Sequence, residues 1–322
     1  MEILKLISFK KETIWGGDKL KKSYGKKTNI DRLGETWECS AHPNGMSIVA
    51  NGRFKNKTLV YVLEHNTEYL GTKLQSTKEL PILVKFIDAK DDLSVQVHPD
   101  DAYARKYENQ NGKTEMWYVM DADDDAHLIY GFEHPVTKKI LQEAIKTGDL
   151  DKHLHKVNVK KGDTYFMPAG TVHGIGAGNL IAEIQQSSDV TYRVYDYNRL
   201  DKDGKARELH FDKAVEVMKM NPSVNTKPIP RLIHYYPTCS REVLCSCKYF
   251  ITEKIITKHG FAFSVLDTSF QVILCLEGEG TIEIGNSSSK PLHFKKGDCM
   301  FIPANAGRCY LFGKTTLLKI RC

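Results

Sequence analysis

The chain has 322 residues, of which 41% are hydrophobic, 10% aromatic and 27% charged, with a formal net charge of +6. This composition excludes a disordered chain, and because the small positive surplus forms no long tract we expect no nucleic-acid partner. No segment approaches the ~18 apolar residues of a membrane helix, and the N-terminus lacks the apolar stretch of a secretory signal. Eight cysteines without a regular spacing predict reduced thiols and a cytoplasmic location.

Short apolar runs closed by Gly, Pro, Asn or Asp follow one another along most of the chain, a pattern typical of β-strands. The predicted strands are Thr58–Leu63, Pro81–Phe86, Leu93–Val97, Met116–Met120, His127–Tyr130, Thr164–Met167, Leu180–Gln185, Phe250–Ile256, Phe261–Leu266, Gln271–Leu276, Gly280–Ile284, Asp298–Ile302 and Arg308–Phe312. Helical spacing is confined to Asp100–Tyr107, Val136–His155 and Phe211–Met220. The sequence therefore predicts a mainly β protein with a small helical insertion near residues 136–156.

A proline-rich stretch and an internal repeat predict two domains. Asn221–Pro237 holds four prolines and no periodicity, as expected of a linker. Lys161–His173 and Lys296–Arg308 share the same spacing from glycine to proline and from proline to the last residue. Each copy is typical of a hairpin in a small β-barrel, so we expect two barrels, residues 1–235 and residues 236–322.

Polar residues alternate along one predicted strand and open another. Ser94, Gln96 and His98 share one face of their strand, which is either the wetted face of an edge strand or part of a polar cavity. Lys113 and Glu115 likewise share a face, and in isolation they favour a plain charged strand entrance.

The hairpin ending at His173 brings a third strand to the same region. Two histidines, a carboxylate and an amide oxygen form a donor set suited to a borderline ion such as Zn²⁺, so the three strands together favour a metal site. Arg193 lies in an aromatic strand, where it either pairs with an aspartate on the sheet surface or faces an anionic substrate.

Five motifs in a fixed order give a resemblance to a known family. They are Trp15-Gly16-Gly17, Gln96-Val97-His98-Pro99, Lys113-Thr114-Glu115, Pro168-Ala169-Gly170-Thr171-Val172-His173 and Thr191-Tyr192-Arg193-Val194-Tyr195-Asp196. Together they resemble the type I mannose-6-phosphate isomerases of the cupin superfamily, in a short bacterial form. The resemblance implies two cupin-type jelly-roll barrels, the second of them degenerate, and zinc-dependent interconversion of mannose 6-phosphate and fructose 6-phosphate.

The resemblance also implies roles for nine residues. One zinc ion per chain would be held by Gln96, His98, Glu115 and His173. Arg193 would be the active-site arginine, Lys113 would lie beside the metal, and Asp189 would be a nearby carboxylate. Ser94 and Lys85 would contact the substrate, with Lys85 a candidate for its phosphate.

The expected chemistry moves a proton from C2 to C1 through an enediol(ate), with charge stabilised by the metal and by Arg193. The proton carrier stays open among Lys113 (if nearby cations depress its pKa), a metal-bound water and Asp189. Two other functions remain open: an iron-dependent cupin oxidoreductase or dioxygenase, and a non-catalytic sugar-phosphate binder. Arg308 stands where His173 stands in the repeat, so the second barrel is expected to bind no catalytic metal. The sequence does not predict the oligomeric state.

Overall fold

The structure is a computed structural model and describes residues 1–222, 232–285 and 290–322. Most of the predicted linker Asn221–Pro237 lies outside the described residues. Within the described residues, no helix combines the length and the hydropathy that a membrane-spanning helix needs.

Strands dominate the described chain. They are β1 (Leu4–Ile7), β2 (Phe9–Gly17), β3 (Leu33–Cys39), β4 (Ile48–Val49), β5 (Ile82–Ala89), β6 (Val95–Val97), β7 (Glu115–Ala122), β8 (His127–Phe132), β9 (Leu154–Asn158), β10 (Thr164–Met167), β11 (His173–Ile175), β12 (Asn179–Gln186), β13 (Tyr192–Tyr195), β14 (Ile233–Tyr235), β15 (Cys239–Ser246), β16 (Ile251–Thr257), β17 (Gly260–Val265), β18 (Gln271–Ile284), β19 (Leu292–Lys295), β20 (Cys299–Ile302) and β21 (Gly307–Arg321). The prediction of a mainly β protein is confirmed.

The helices are short. The α-helices are α1 (Lys19–Tyr24), α2 (Leu59–His65), α3 (Asp101–Tyr107), α4 (Lys138–Thr147) and α5 (Phe211–Val217), and 3-10 turns occupy Gly52–Phe54, Thr67–Leu70, Thr72–Leu74 and Leu150–Lys152. All three predicted helical segments are confirmed, and the insertion near residues 136–156 contains α4 and the last 3-10 turn.

One predicted strand, Thr58–Leu63, is wrong, because this segment begins helix α2. The hydroxyl of Thr58 accepts a hydrogen bond from the backbone N–H of Tyr61 at 3.3 Å and so caps the helix. Leu59, Val62 and Leu63 are buried at helical spacing, which lets this short apolar run cover the core as a helix.

Two other predicted strands, Gln271–Leu276 and Gly280–Ile284, are one continuous strand, β18. The strand passes a bulge between Cys275 and Glu277 and then Gly278, whose φ is +82°. A Cβ on Gly278 would lie 2.0 Å from the carbonyl oxygen of Lys314, so only glycine fits there. The glycine bends the strand without ending it.

The strands form three sheets. The central sheet has the order β10-β7-β12-β5-β2-β3, and the site sheet has the order β13-β6-β11-β8-β9. Ile87 and Trp117 of the central sheet and Leu128 and Ile175 of the site sheet belong to one hydrophobic cluster, so the two sheets pack against each other. In the described residues, the hydrogen-bonded pairings leave these sheets open rather than closing them into barrels.

The tail sheet joins the two ends of the chain. Its order is β14-β15-β16-β21-β18-β20-β1-β4, with β17 added on β21 and β19 on β18. Leu4 of β1 pairs with Phe301 of β20, so the first strand of the chain completes a sheet made mostly of C-terminal strands. Leu4 and Phe301 share a buried cluster with Phe86 of the central sheet, so the tail sheet and the central sheet have a continuous core in common.

Helices α4 and α5 cover the side of the site sheet that faces away from the predicted polar residues. Val97 alternates with Gln96 and His98 along its strand, and it shares a buried cluster with Leu141 of α4 and Ala214 of α5. The insertion therefore supports the site sheet from behind and leaves the other face free for chemistry.

Candidate active site

Three predicted metal ligands come together in the interior. His98 directly follows β6, Glu115 opens β7 and His173 opens β11, and their ligand atoms all lie within 4.8 Å of one another. The Nε2 atoms of the two histidines are 3.2 Å apart. Nε2 of His98 is 3.3 Å from Oε1 of Glu115, and Nε2 of His173 is 3.7 Å from Oε2. Both sheets therefore contribute to one cluster.

Both histidines are neutral at physiological pH. Burial and the charge of Lys113 lower the pKa of His98 to about 3. Burial also lowers the pKa of His173 below its usual value. The Nδ1 atom of His173 lies 2.8 Å from the carbonyl oxygen of Thr171, so Nδ1 carries the proton and Nε2 presents a lone pair to the cluster. Metal-binding histidines are commonly oriented in this way.

The carboxylate of Glu115 is fully buried, and its charged partner is the ammonium group of Lys113, 3.0 Å from Oε1. Burial raises its pKa, but the charge of Lys113 and the contact with His98 outweigh this effect and hold the pKa well below its usual value. Glu115 is thus a buried anion facing two imidazole lone pairs. Such a donor set fits a divalent cation, and zinc takes imidazole and carboxylate ligands.

Gln96 lies next to this cluster, between two other predicted site residues. It pairs in register with His173 on one side and with Arg193 on the other, so the three side chains share a face of the site sheet. Its Nε2 is 3.4 Å from Nε2 of His173, and its Oε1 is 3.5 Å from the hydroxyl of Ser94. A half-turn of the amide brings the oxygen to the cluster instead.

Lys113 is buried against the same group. Its Nζ atom is 3.2 Å from Nε2 of His98 and 3.0 Å from Oε1 of Glu115. Lys113 and Glu115 share a strand face, as predicted, but they form a buried polar cluster rather than the plain charged strand entrance that they favour in isolation.

A cavity of about 120 Å³ opens beside the cluster. Its polar lining includes Lys85, Ser94, Gln96, Lys113, Glu183, Asp189, Arg193 and Arg207. The cavity thus places six predicted site residues around one small space, together with two residues that the sequence did not single out.

Arg193 reaches this cavity rather than an aspartate on the sheet surface. Its Nη1 donates to the carbonyl oxygen of Glu208 at 2.6 Å, and its buried Nε has no hydrogen-bond partner among the described residues. The nearby Asp196 is bound by Arg199 at 2.6 Å and by Arg207 at 2.8 Å. Arg193 therefore presents its charge to the cavity.

Asp189 lies in the loop after β12 and accepts a hydrogen bond from Asn44 at 3.0 Å. Burial raises its pKa, but the charges of Lys11 and Lys85 outweigh burial, and the pKa lies below its usual value. Asp189 is therefore an ionised carboxylate on the cavity wall.

Lys85 is buried between two carboxylates. Its Nζ atom is 3.2 Å from Oε2 of Glu183 and 3.7 Å from Oε2 of Glu35. Glu183 also accepts a hydrogen bond from the indole N–H of Trp117 at 2.9 Å. Burial and the charge of Glu115 raise the pKa of Glu183 to about 7, a value that suits a group exchanging protons at neutral pH.

Sequence reasoning missed Glu183 and Arg207. The signal for Glu183 was a lone charge inside the apolar run of β12, where Ala182 and Ile184 flank it. Arg207 gave no comparable signal, because it lies in an irregular segment without a periodic pattern. Its ion pair with Asp196 holds it beside the cavity.

Two domain models match the chain. Residues 3–125 match "Phosphomannose isomerase type I, catalytic domain", and residues 241–322 match "Mannose-6-phosphate isomerase, cupin domain". With its packed sheets and buried ligand cluster, the chain is therefore a member of the cupin class of mainly β proteins.

Whole-chain comparisons narrow the class to one family. The chain is 42% identical to mannose-6-phosphate isomerase ManA of Bacillus subtilis (strain 168), over 94% of this chain and 93% of the relative. It is 39% identical to mannose-6-phosphate isomerase of Streptococcus mutans, over 90% and 89% of the two chains. The solved structure of mannose 6-phosphate isomerase from Bacillus subtilis matches with a TM-score of 0.91 and 36% identity, covering 99% of each chain. The chain belongs to the type I mannose-6-phosphate isomerase family, as its motifs predicted, and is an enzyme of that family.

Proposed function

We propose that this enzyme interconverts mannose 6-phosphate and fructose 6-phosphate with a zinc ion held by Gln96, His98, Glu115 and His173. The observation that carries the proposal is the buried anion Glu115, which faces two imidazole lone pairs beside a small charged cavity. When bound, the metal would polarise the oxygens at C1 and C2 of the sugar as a Lewis acid.

Arg193 is proposed to stabilise the enediolate. A guanidinium held by the carbonyl of Glu208 is fixed before the reaction begins, so it offers charge to a developing oxyanion without having to reorganise. Ser94 lines the same wall and is proposed to contact a sugar hydroxyl.

The phosphate is proposed to lie toward Arg207. Arg207 borders the cavity and shares Asp196 with a second arginine, Arg199, so this cluster carries a net positive charge. Lys85, the candidate from the sequence, has two carboxylates beside it and is better suited to a neutral hydroxyl.

Two carboxylates are proposed to move the proton between C2 and C1. Asp189 is kept ionised by Lys11 and Lys85, whereas burial raises the pKa of Glu183 to about 7. Groups whose surroundings push their pKa values apart are suited to separate acid and base roles. Lys113, held between Glu115 and His98, is proposed to balance the charge of the ligand cluster.

Three broader predictions also stand as proposals. The chain is proposed to consist of two cupin-type units built from packed open sheets, a catalytic domain of residues 1–235 and a degenerate domain of residues 236–322. The enzyme is proposed to act in the cytoplasm, where its eight cysteines, all unpaired in the structure, stay reduced.

An assay of product formation tests the proposal. Purified enzyme is given mannose 6-phosphate, and the appearance of fructose 6-phosphate is followed by a coupled reaction, with dissolved oxygen recorded at the same time. We expect fructose 6-phosphate to accumulate while oxygen stays constant. Oxygen uptake without fructose 6-phosphate would indicate a cupin dioxygenase, and binding without turnover would indicate a sugar-phosphate binder.

A further inference from the structure

A second pair of histidines lies outside the ligand cluster, where the helical insertion leaves and rejoins the site sheet. His134 follows β8, and His153 precedes β9. Nδ1 of His153 is 3.1 Å from Nε2 of His134, and the ring centroids are 5.0 Å apart at an angle of 67°. Neither residue belongs to the cavity described above.

The orientation of His134 is that of a metal ligand. Its Nδ1–H donates to the carbonyl oxygen of Pro135 at 3.1 Å, which leaves a lone pair on Nε2. This nitrogen lies 3.1 Å from Nδ1 of His153, where an ion would replace the proton of a hydrogen bond between the two rings. His173 has the same arrangement, with Nδ1 bound to a backbone carbonyl and Nε2 facing a second imidazole.

We propose that His134 and His153 bind a divalent transition metal ion at the surface, distinct from the ion of the catalytic cluster. Two imidazole nitrogens each ~2.0–2.1 Å from a tetrahedral ion lie roughly 3.3 Å apart, close to the separation of 3.1 Å between the two ring nitrogens. His134 is exposed and His153 half-buried, so water completes the coordination. Paired imidazoles suit Zn²⁺, Cu²⁺ and Ni²⁺ rather than Mg²⁺ or Ca²⁺.

The position of the pair gives the metal a structural effect. His134 and His153 bracket α4, whose Leu141 and Ala144 are packed in the cluster behind the site sheet. A backbone hydrogen bond from Glu133 to the carbonyl oxygen of His153, at 2.9 Å, already joins the two ends. An ion bound only by the folded pair stabilises the native state, so it would hold the insertion against the sheet.

Titration calorimetry on untagged enzyme with its catalytic metal in place tests the proposal. Zn²⁺ alone is added to the wild type and to the His134→Gln and His153→Gln variants. We expect one further binding event per chain in the wild type, weakened at least tenfold in each variant, and a higher thermal midpoint with Zn²⁺ in the wild type only.

Two control variants identify the ligands. His65→Gln removes an exposed histidine whose Nδ1 also meets a backbone carbonyl, at 2.8 Å from Tyr61, but which has no second imidazole beside it among the described residues. His155→Gln removes a neighbouring histidine held by Glu133. Both variants should bind like the wild type. The proposal is overturned if the wild type shows no further event, or if that event survives in either His134→Gln or His153→Gln.

Discussion

His98 and His173 are the residues on which the proposed chemistry of the site depends most. Each presents Nε2 to the carboxylate of Glu115, and each comes from a different strand of the site sheet. The loss of either imidazole removes a ligand and leaves the buried anion poorly compensated.

We therefore expect His98→Ala and His173→Ala each to lower kcat at least about 100-fold and to reduce bound zinc. Elemental analysis and turnover, measured on the same samples, check this, with circular dichroism showing that the fold is kept. His65→Ala, on the surface, should change neither quantity. Full activity in His173→Ala saturated with zinc would contradict the assignment of His173.

A substitution of Arg193 tests the proposed stabilisation of the enediolate separately from the metal ligands. If its charge acts on the enediolate, Arg193→Ala should lower kcat by about 10²–10³, equal to about 2.7–4 kcal/mol, with a smaller change in KM. Arg53→Ala is the control, because Arg53 is an exposed arginine beside Glu2 and does not border the cavity. A raised KM with unchanged kcat would show that Arg193 binds the ground-state substrate instead.

The ligand-type residues were predictable from the sequence because alternation along a strand places Ser94, Gln96 and His98 on one face. The raised pKa of Glu183 was not predictable from the sequence. Its pKa depends on Lys85 of β5 and on Glu115 of β7, which approach only when three strands pair. Alternation within one strand predicts which side chains share a face. The pKa values of those side chains depend on charges that neighbouring strands bring close.

Among the strands, β12 determines the surroundings of Glu183, because it lies between β5 and β7 and is buried along its whole length. Glu183 pairs in register with Lys85 on one side and with Trp117 on the other. A carboxyl group buried at the centre of this sheet and beside the cavity is therefore a candidate for the proposed proton transfer.

Glu183→Gln should lower kcat by about 10²–10⁴, with zinc content unchanged, if the carboxyl transfers a proton. Because the pKa of Glu183 is raised to about 7, a base role also makes wild-type kcat fall as the pH drops through about 7. Glu35→Gln removes the other carboxylate beside Lys85 and should cost less than tenfold. Equal losses in the two variants would mean that Glu183 only balances the charge of Lys85.

Most predicted strands and helices agree with the structure, and the exception is a short apolar run that fits either type of element. Thr164–Met167 is a strand with the predicted bounds, and Phe211 begins the predicted helix α5. The sequence of Thr58–Leu63 predicts a strand because a short apolar run fits either structure, whereas the cap supplied by Thr58 and the burial at helical spacing favour the helix. The pairing of β1 with the tail had no signal in the sequence, since strand partners far apart in the chain leave no periodic trace.

The whole molecule is held together by the core shared between its two ends. Phe301 of β20 is fully buried and stacks on Phe270 at 5.0 Å, in the cluster that also contains Leu4 and Phe86. The tail therefore supports the catalytic sheets directly.

Phe301→Ala should lower the free energy of unfolding by about 3–5 kcal/mol, whereas Phe312→Ala, on an exposed position of β21, should change it by about 0.5 kcal/mol or less. Trp15, Trp37 and Trp117 all lie in the N-terminal half of the chain, so tryptophan fluorescence during denaturation reports on that half alone. We expect Phe301→Ala to shift the fluorescence transition. An unchanged fluorescence midpoint, with a separate transition in circular dichroism, would show that the tail folds independently.

Removing the metal with a chelator and adding zinc back tests whether catalysis depends on an ion bound at the cluster of His98, Glu115 and His173. The enzyme is stripped with a chelator, and conversion of mannose 6-phosphate to fructose 6-phosphate is measured as Zn²⁺ is added back to the wild type and to His134→Gln. We predict that activity is lost on stripping and recovers fully in both proteins as the first equivalent of zinc binds. Full turnover by the stripped enzyme, with no zinc detectable by elemental analysis, would contradict a zinc-dependent isomerase.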